Sequence, residues 1–168
     1  MEIHKYEKLW FAVALLLIVG FIATIAYGAV GAGVQMINDD GGTIDPDNPQ
    51  EHEHFGEPLD GYVEHVEGDR YRASVQAFTF GFAPNPIEVP EGSTVEFYVT
   101  SVDVIHGLDI VGTNVNTMVI PGQVAQFTVE FDEPGEYGIV CNEFCGAGHE
   151  TMEGQLIVVP EDEWEGDA

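Results

Sequence analysis

The sequence predicts an all-β sandwich or barrel tethered behind a single N-terminal transmembrane helix, and three observations carry that prediction. Leu9 to Ile37 is a run of 29 residues without Asp, Glu, Lys, Arg or His. From Tyr71 to Pro160, strand-length runs alternate with Gly and Pro turns at a spacing of about 8–12 residues, as in antiparallel sandwiches and barrels. After residue 38 no helical period of useful length appears.

The apolar run comes first. As a helix it would extend roughly 43 Å at about 1.5 Å per residue, more than the ~30 Å hydrocarbon core requires. A cleaved signal peptide is the alternative, since Ala and Gly around 26–33 could suit a peptidase. Signal cores usually run only about 7–15 residues, so the length favours a retained anchor. Lys5 and Lys8 precede the run and no Lys or Arg follows before Arg70. The positive-inside rule then leaves residues 1–8 in the cytoplasm and the remainder outside. Gly28/Ala32 and Ala29/Gly33 place small residues four apart, which would admit a second membrane helix; Gly and Ala are also simply common in such spans.

Residues 38–69 follow as an acidic linker or collar. Eleven acids lie between Asp39 and Asp69, together with Gly41-Gly42, Pro46, Pro49 and Pro58. The stretch has no apolar period and reads as a tether. His52 and His54 form a short H-x-H within it, with no third ligand nearby. The whole chain has 4 Lys+Arg against 30 Asp+Glu, a formal net charge of −26. That balance excludes nucleic acid as a partner, because phosphate binding needs a cationic footprint. It suits a halophilic source, where concentrated salt screens self-repulsion. Hydrophobic content of 45% nevertheless argues for a packed core.

The folded body spans residues 70–160, and residues 161–168 form an acidic tail. Its runs are Tyr71–Phe82, two within Ile87–Ser101, then Val102–Gly112, Asn116–Ile120, Gln123–Phe131, Glu136–Cys141 and Gln155–Val159. About ninety residues suffice for seven or eight strands.

The chemistry gathers near the end of this body. Cys141-Asn142-Glu143-Phe144-Cys145-Gly146-Ala147-Gly148-His149-Glu150-Thr151-Met152 places two thiols, an imidazole and a thioether within twelve residues. His106 lies thirty-five residues upstream of Cys141. Thiolate, thioether and imidazole together form a ligand set for copper, not for magnesium or calcium. One Cys with two His and a weak Met would make a mononuclear site. A second Cys four residues on allows two thiolates to bridge two metals, with one His on each. Met152 would be a weak ligand to one, and a carbonyl from between the cysteines could serve the other. Alternatively, two extracytoplasmic cysteines form a disulfide, which leaves the adjacency of His149 and Met152 without a reason. Zinc could take two Cys and two His, although structural zinc usually has closer pairs. Asp103 either holds a ligand from behind or closes an Asx-type turn.

At these positions Ser101-Val102-Asp103-Val104-Ile105-His106, followed by Cys141-x-Glu143-x-Cys145-x-x-x-His149-x-x-Met152, resembles subunit II of heme–copper terminal oxidases, the subunit holding the mixed-valence CuA centre. The single anchor, Phe78-Thr79-Phe80-Gly81 and Pro84-Asn85-Pro86-Ile87-Glu88-Val89-Pro90 resemble its B-type (ba-type) branch. The resemblance implies a cupredoxin Greek-key barrel. It further implies two copper ions held by His106, Cys141, Cys145, His149, Met152 and the Glu143 carbonyl.

As partners it implies a soluble electron donor, either a blue-copper protein or a cytochrome c, and a haem-bearing catalytic subunit I that reduces oxygen to water and pumps protons. Phe78 and Phe80 are expected at the donor-docking patch, against ordinary core packing. The side chain at the Glu143 position is a magnesium ligand at the subunit interface in the A-type branch, whereas B-type members tend to have an uncharged residue there. Glu7, in Tyr6-Glu7-Lys8, resembles a B-type glutamate at the mouth of a proton-uptake path; an acid favourably placed at a helix N-terminus is the alternative. A free-standing membrane-anchored cupredoxin shuttle, with one copper, and a thiol or copper-delivery protein are the competing functions.

Overall fold

The computed structural model describes residues 4–28, 41–56 and 62–164. Its contacts divide the chain into a helical unit, Met1–Val34, and a β unit, Gln35–Ala168.

Helix α1 spans Lys5–Ala26 and has no buried residue. Twenty-two residues rise about 33 Å, enough to cross a bilayer. The helix starts four residues before the expected Leu9. The reason is a capping box: the His4 side chain accepts from the backbone of the first turn while Glu7 Oε2 accepts from His4 N at 3.0 Å. Ala29, Ala32 and Gly33 of the small-residue pairs, and the expected end of the span at Ile37, lie outside the described residues.

In the β unit, ten strands are described: β1 Tyr62–Glu67, β2 Arg70–Phe78, β3 Gly81–Ala83, β4 Ile87–Pro90, β5 Ser93–Ser101, β6 His106–Ile110, β7 Asn116–Val119, β8 Ala125–Phe131, β9 Gly135–Val140 and β10 Glu153–Val159. One sheet runs β1-β2-β5-β8 with β3 on β2, and the other runs β4-β10-β9-β6-β7. Inward residues of both sheets, among them Val75, Phe97 and Phe127 from one and Leu108, Ile139 and Leu156 from the other, form a single core. The sheets therefore pack as a sandwich.

The expected antiparallel arrangement holds for most pairs, but β2·β5 and β4·β10 are parallel. After β3 the chain crosses to the second sheet as β4 and returns as β5, running the way β2 ran. The expected strand Tyr71–Phe82 breaks at Thr79-Phe80 into β2 and β3. Val102–Ile105 is loop, so the strand placed at Val102–Gly112 shortens to β6.

Two segments read as tether and tail carry structure of their own. Strand β1 lies inside residues 38–69 and pairs with β2. Ahead of it, Ile44 and Phe55 are buried against Tyr98 and Val124, forming a second small core. The hydroxyl of Ser74 donates to the His54 carbonyl, and Ile44 N donates to Gly122 O at 3.2 Å. The segment 41–56 is thus a packed layer on the outer side of the first sheet. In the tail, Trp164 packs edge-on against Tyr71 with centroids 5.9 Å apart.

Candidate metal centre

Three elements converge at one end of the sandwich. Strand β6 begins with His106, wholly buried. Cys141 follows directly on β9, and Met152 immediately precedes β10. The ladder partnering Glu153 with Val140 closes the loop at its base, and Cys141 N donates to Met152 O at 3.2 Å. Between them, Gly146 adopts φ 137, a conformation that suits glycine. A short turn, His149–Thr151, then presents the second imidazole.

The donor atoms face one another. The Cys141 and Cys145 sulfurs are 3.8 Å apart and unbridged. His106 Nδ1 lies 3.9 Å from Cys141 Sγ, and His149 Nδ1 lies 3.6 Å from Cys145 Sγ. Met152 Sδ is 3.6 Å from Cys145 Sγ, and the Glu143 carbonyl is 3.2 Å from Cys141 Sγ. Ligand atoms of His106, Cys141 and Cys145 all fall within 4.8 Å of one another. A disulfide would need sulfurs about 2.05 Å apart. Two sulfurs flanked on either side by an imidazole nitrogen instead fit a pair of soft metal ions.

Electrostatics supports ligation. His106 Nε2 is 2.7 Å from Asp103 Oδ1. A carboxylate only accepts, so Nε2 carries the proton and Nδ1 faces the sulfur with its lone pair free. Asp103 also accepts from Val104 N at 2.6 Å, and its Oδ2 accepts from Thr79 N at 2.7 Å. Burial opposes its charge, yet the His106, Val104 and Thr79 hydrogen bonds together hold its carboxyl down at about 2. The geometry joins Asp103 both to the His106 ring and to the local turn. Burial, then the neighbouring Cys141, pushes the Cys145 thiol up to about 11.

The other expected residues fall nearby or apart. Phe80 lies on the loop: a Cβ on Gly148 would come within 2.6 Å of its ring, and one on Gly146 within 3.2 Å. Phe78 and Phe80 are each 39% exposed. Sequence reasoning passed over Phe144, which is 75% exposed and meets His149 edge-on at 5.8 Å. Its signal was an aromatic residue between two ligands, with no strand to bury it. The Glu143 side chain is exposed. Among the described residues the one grouping of potential metal ligands is His106, Cys141 and Cys145, and Glu143 is not part of it. Glu7 belongs to the helical unit, where its carboxylate caps α1. The His52 and His54 rings are tilted against each other with centroids 5.5 Å apart, and neither residue belongs to that grouping.

A sandwich of this topology, with a soft donor cluster at one end and a separate apolar helix, defines a copper-binding cupredoxin-like domain on a membrane anchor. Residues 72–160 match the family described as cytochrome C oxidase subunit II, periplasmic domain. A cytochrome c oxidase subunit 2 of Thermus thermophilus is 40% identical over 163 residues, covering 93% of each chain. A chain of a heme–copper terminal oxidase dimer solved by cryo-EM is 34% identical, with TM-score 0.66 over 92% of this chain and 99% of that one. The periplasmic domain of subunit II of cytochrome oxidase from Bradyrhizobium japonicum shares the fold, at 20% identity and TM-score 0.51 over 55% of this chain and 86% of its own. The chain belongs to the cytochrome c oxidase subunit II family, the electron-entry subunits of heme–copper oxidases.

Proposed function

We propose that the β unit holds a CuA centre, with two copper ions bridged by Cys141 and Cys145. His106 and His149 ligate one copper each, and Met152 and the Glu143 carbonyl complete the set as weak ligands. The observation that carries this reading is the pair of unbridged sulfurs, 3.8 Å apart, with an imidazole Nδ1 facing each. Copper held by these two thiolates would supply one-electron chemistry, with the charge change spread over many bonds.

The protein's part is to hold that set still. Asp103 fixes the His106 tautomer, the β9·β10 ladder closes the loop, and burial excludes water. A rigid, dry site needs little rearrangement per electron, so transfer is fast at small driving force. All the donors are internal and no open position is needed, which separates a relay from a catalytic metal site.

Electrons enter from a soluble extracytoplasmic donor, a blue-copper protein or a cytochrome c. They leave to the haems of the partner subunit, where oxygen is reduced to water with proton translocation. The half-exposed Phe78 and Phe80 and the exposed Phe144 support a donor patch beside the loop. In concentrated salt, screening over a few ångströms leaves such an apolar patch to decide docking. The single described apolar helix supports the B-type branch, and the net charge of −26 supports a halophilic source. By the positive-inside rule, Lys5 and Lys8 support a cytoplasmic N-terminus with the β unit outside. The same reading gives Glu7 a place at a proton entrance in addition to its capping bond.

The test is to load the full chain with copper in detergent and record metal content with the electron-spin spectrum. Two coppers and an unpaired electron split equally by two nuclei support CuA. Splitting by one nucleus supports a free-standing shuttle instead.

A further inference from the structure

A second set of contacts holds the cysteine loop from outside the ligand cluster. Asn142 Nδ2 donates to Asn116 Oδ1 at 3.0 Å. Asn116 Nδ2 in turn donates to Asp109 Oδ2 at 3.4 Å. A carboxylate cannot donate, so Asp109 takes the amide NH2 of Asn116 and leaves its oxygen for Asn142. Asp109 and Asn116 are register partners across β6·β7, so the ladder itself fixes where that acceptor stands.

The Asn142 amide lies directly on Gly107, the residue after His106. A Cβ on Gly107 would stand 1.9 Å from Asn142 Oδ1, 2.9 Å from Glu143 N and 3.0 Å from Asn142 N. Only a residue without a side chain allows this approach of loop to strand. The backbone gripped there leads straight into Glu143, whose carbonyl sits 3.2 Å from Cys141 Sγ. A cleft of about 210 Å³, lined by Gly107, Asn116, Thr117, Met118, Asn142 and Glu143, adjoins the contact. A loop released from the pin has room to shift into it.

We propose that Asn142, pinned by Asn116 and seated on Gly107, is a positioning residue that sets how closely the Glu143 carbonyl approaches the copper pair. This rests on the CuA reading. Weak axial donors tune the potential of thiolate copper sites. A carbonyl that recedes stabilises the oxidised form less, so the potential rises when the pin is lost.

The experiment compares Asn142→Ala, Asn116→Ala and the double variant with the wild type, each as the full copper-loaded chain. Copper per chain, midpoint potential and copper hyperfine splitting are measured. Two coppers are expected throughout, with the potential raised and the splitting altered in both single variants. The double variant should shift no further than Asn142→Ala, because both changes break one link. Unchanged potential and splitting in the single variants overturn the proposal, as does a shift in Asn142→Ala that Asn116→Ala fails to reproduce. Should Asn142→Ala lose its copper, Asn116→Ala decides alone, since it leaves the loop sequence intact. A wild type that binds no copper pair sinks the CuA reading and takes this inference with it, whereas a normal wild type with unmoved variants sinks only the inference.

Discussion

The loop from Cys141 to Met152 and the segment from residue 41 to 56 are both irregular chain laid on the same β-body, yet different forces hold them. The loop is organised by polar and sulfur groups that converge, and its largest apolar side chain, Phe144, points to solvent. The acidic segment is organised by two apolar plugs, Ile44 and Phe55, sunk against Tyr98 and Val124. One stretch is built around a cluster of converging donor atoms and the other around what it covers. Damage to each should therefore appear in a different measurement.

The sharpest separation is expected from Cys145→Ser. On the proposed CuA reading it removes one bridging sulfur, so the signal of an electron shared by two coppers should vanish. Thermal unfolding should move little, because the β9·β10 ladder closes the loop without the metal. An unchanged two-nucleus spectrum would contradict the bridging role. Next in size is Phe55→Ala, which empties a site that is 1% exposed. Large-to-small changes of this kind cost about 3–5 kcal/mol in a full core, and about 3 kcal/mol is expected in this smaller one. Denaturant unfolding checks the figure, with the copper spectrum as the control that should not move.

The smallest effect is one of pH. Burial first, and then the charge of Arg72, lower the pKa of His54. The unfolded chain therefore takes up this proton more readily than the folded one. The stability His54 contributes is complete above a pH of about 6.5 and drains as pH falls through the ordinary histidine range. The protection factor of Phe55 N, which donates to His52 O at 3.0 Å, should fall on mild acidification. Equal protection at pH 5 and pH 8 would show that His54 does not couple to this layer.

These two regions also differ in how far the sequence reveals them. Cysteines, histidines and a methionine at tight spacing have few other uses, so the loop could be read from residue types alone. Asn142 and Gly107 could not, because a close approach between strand and loop leaves no mark of periodicity. In the acidic segment, two apolar residues among many acids give no repeat to detect, and their burial depends on Tyr98 and Val124, far along the chain. The strands were legible as alternating runs bounded by Gly and Pro. The parallel pairs β2·β5 and β4·β10 were not, since pairing partners are set by where the chain crosses between sheets. The early start of α1 rests on a cap, His4 with Glu7, that a count of apolar residues passes over.

Asp103 spans two worlds with its two oxygens. One oxygen receives the proton of the wholly buried His106 ring, and the other receives Thr79 N at the head of the aromatic turn that carries Phe80. A displacement of that turn therefore reaches the same small group that steadies an imidazole inside. Surface turn and buried ring meet in a single carboxylate.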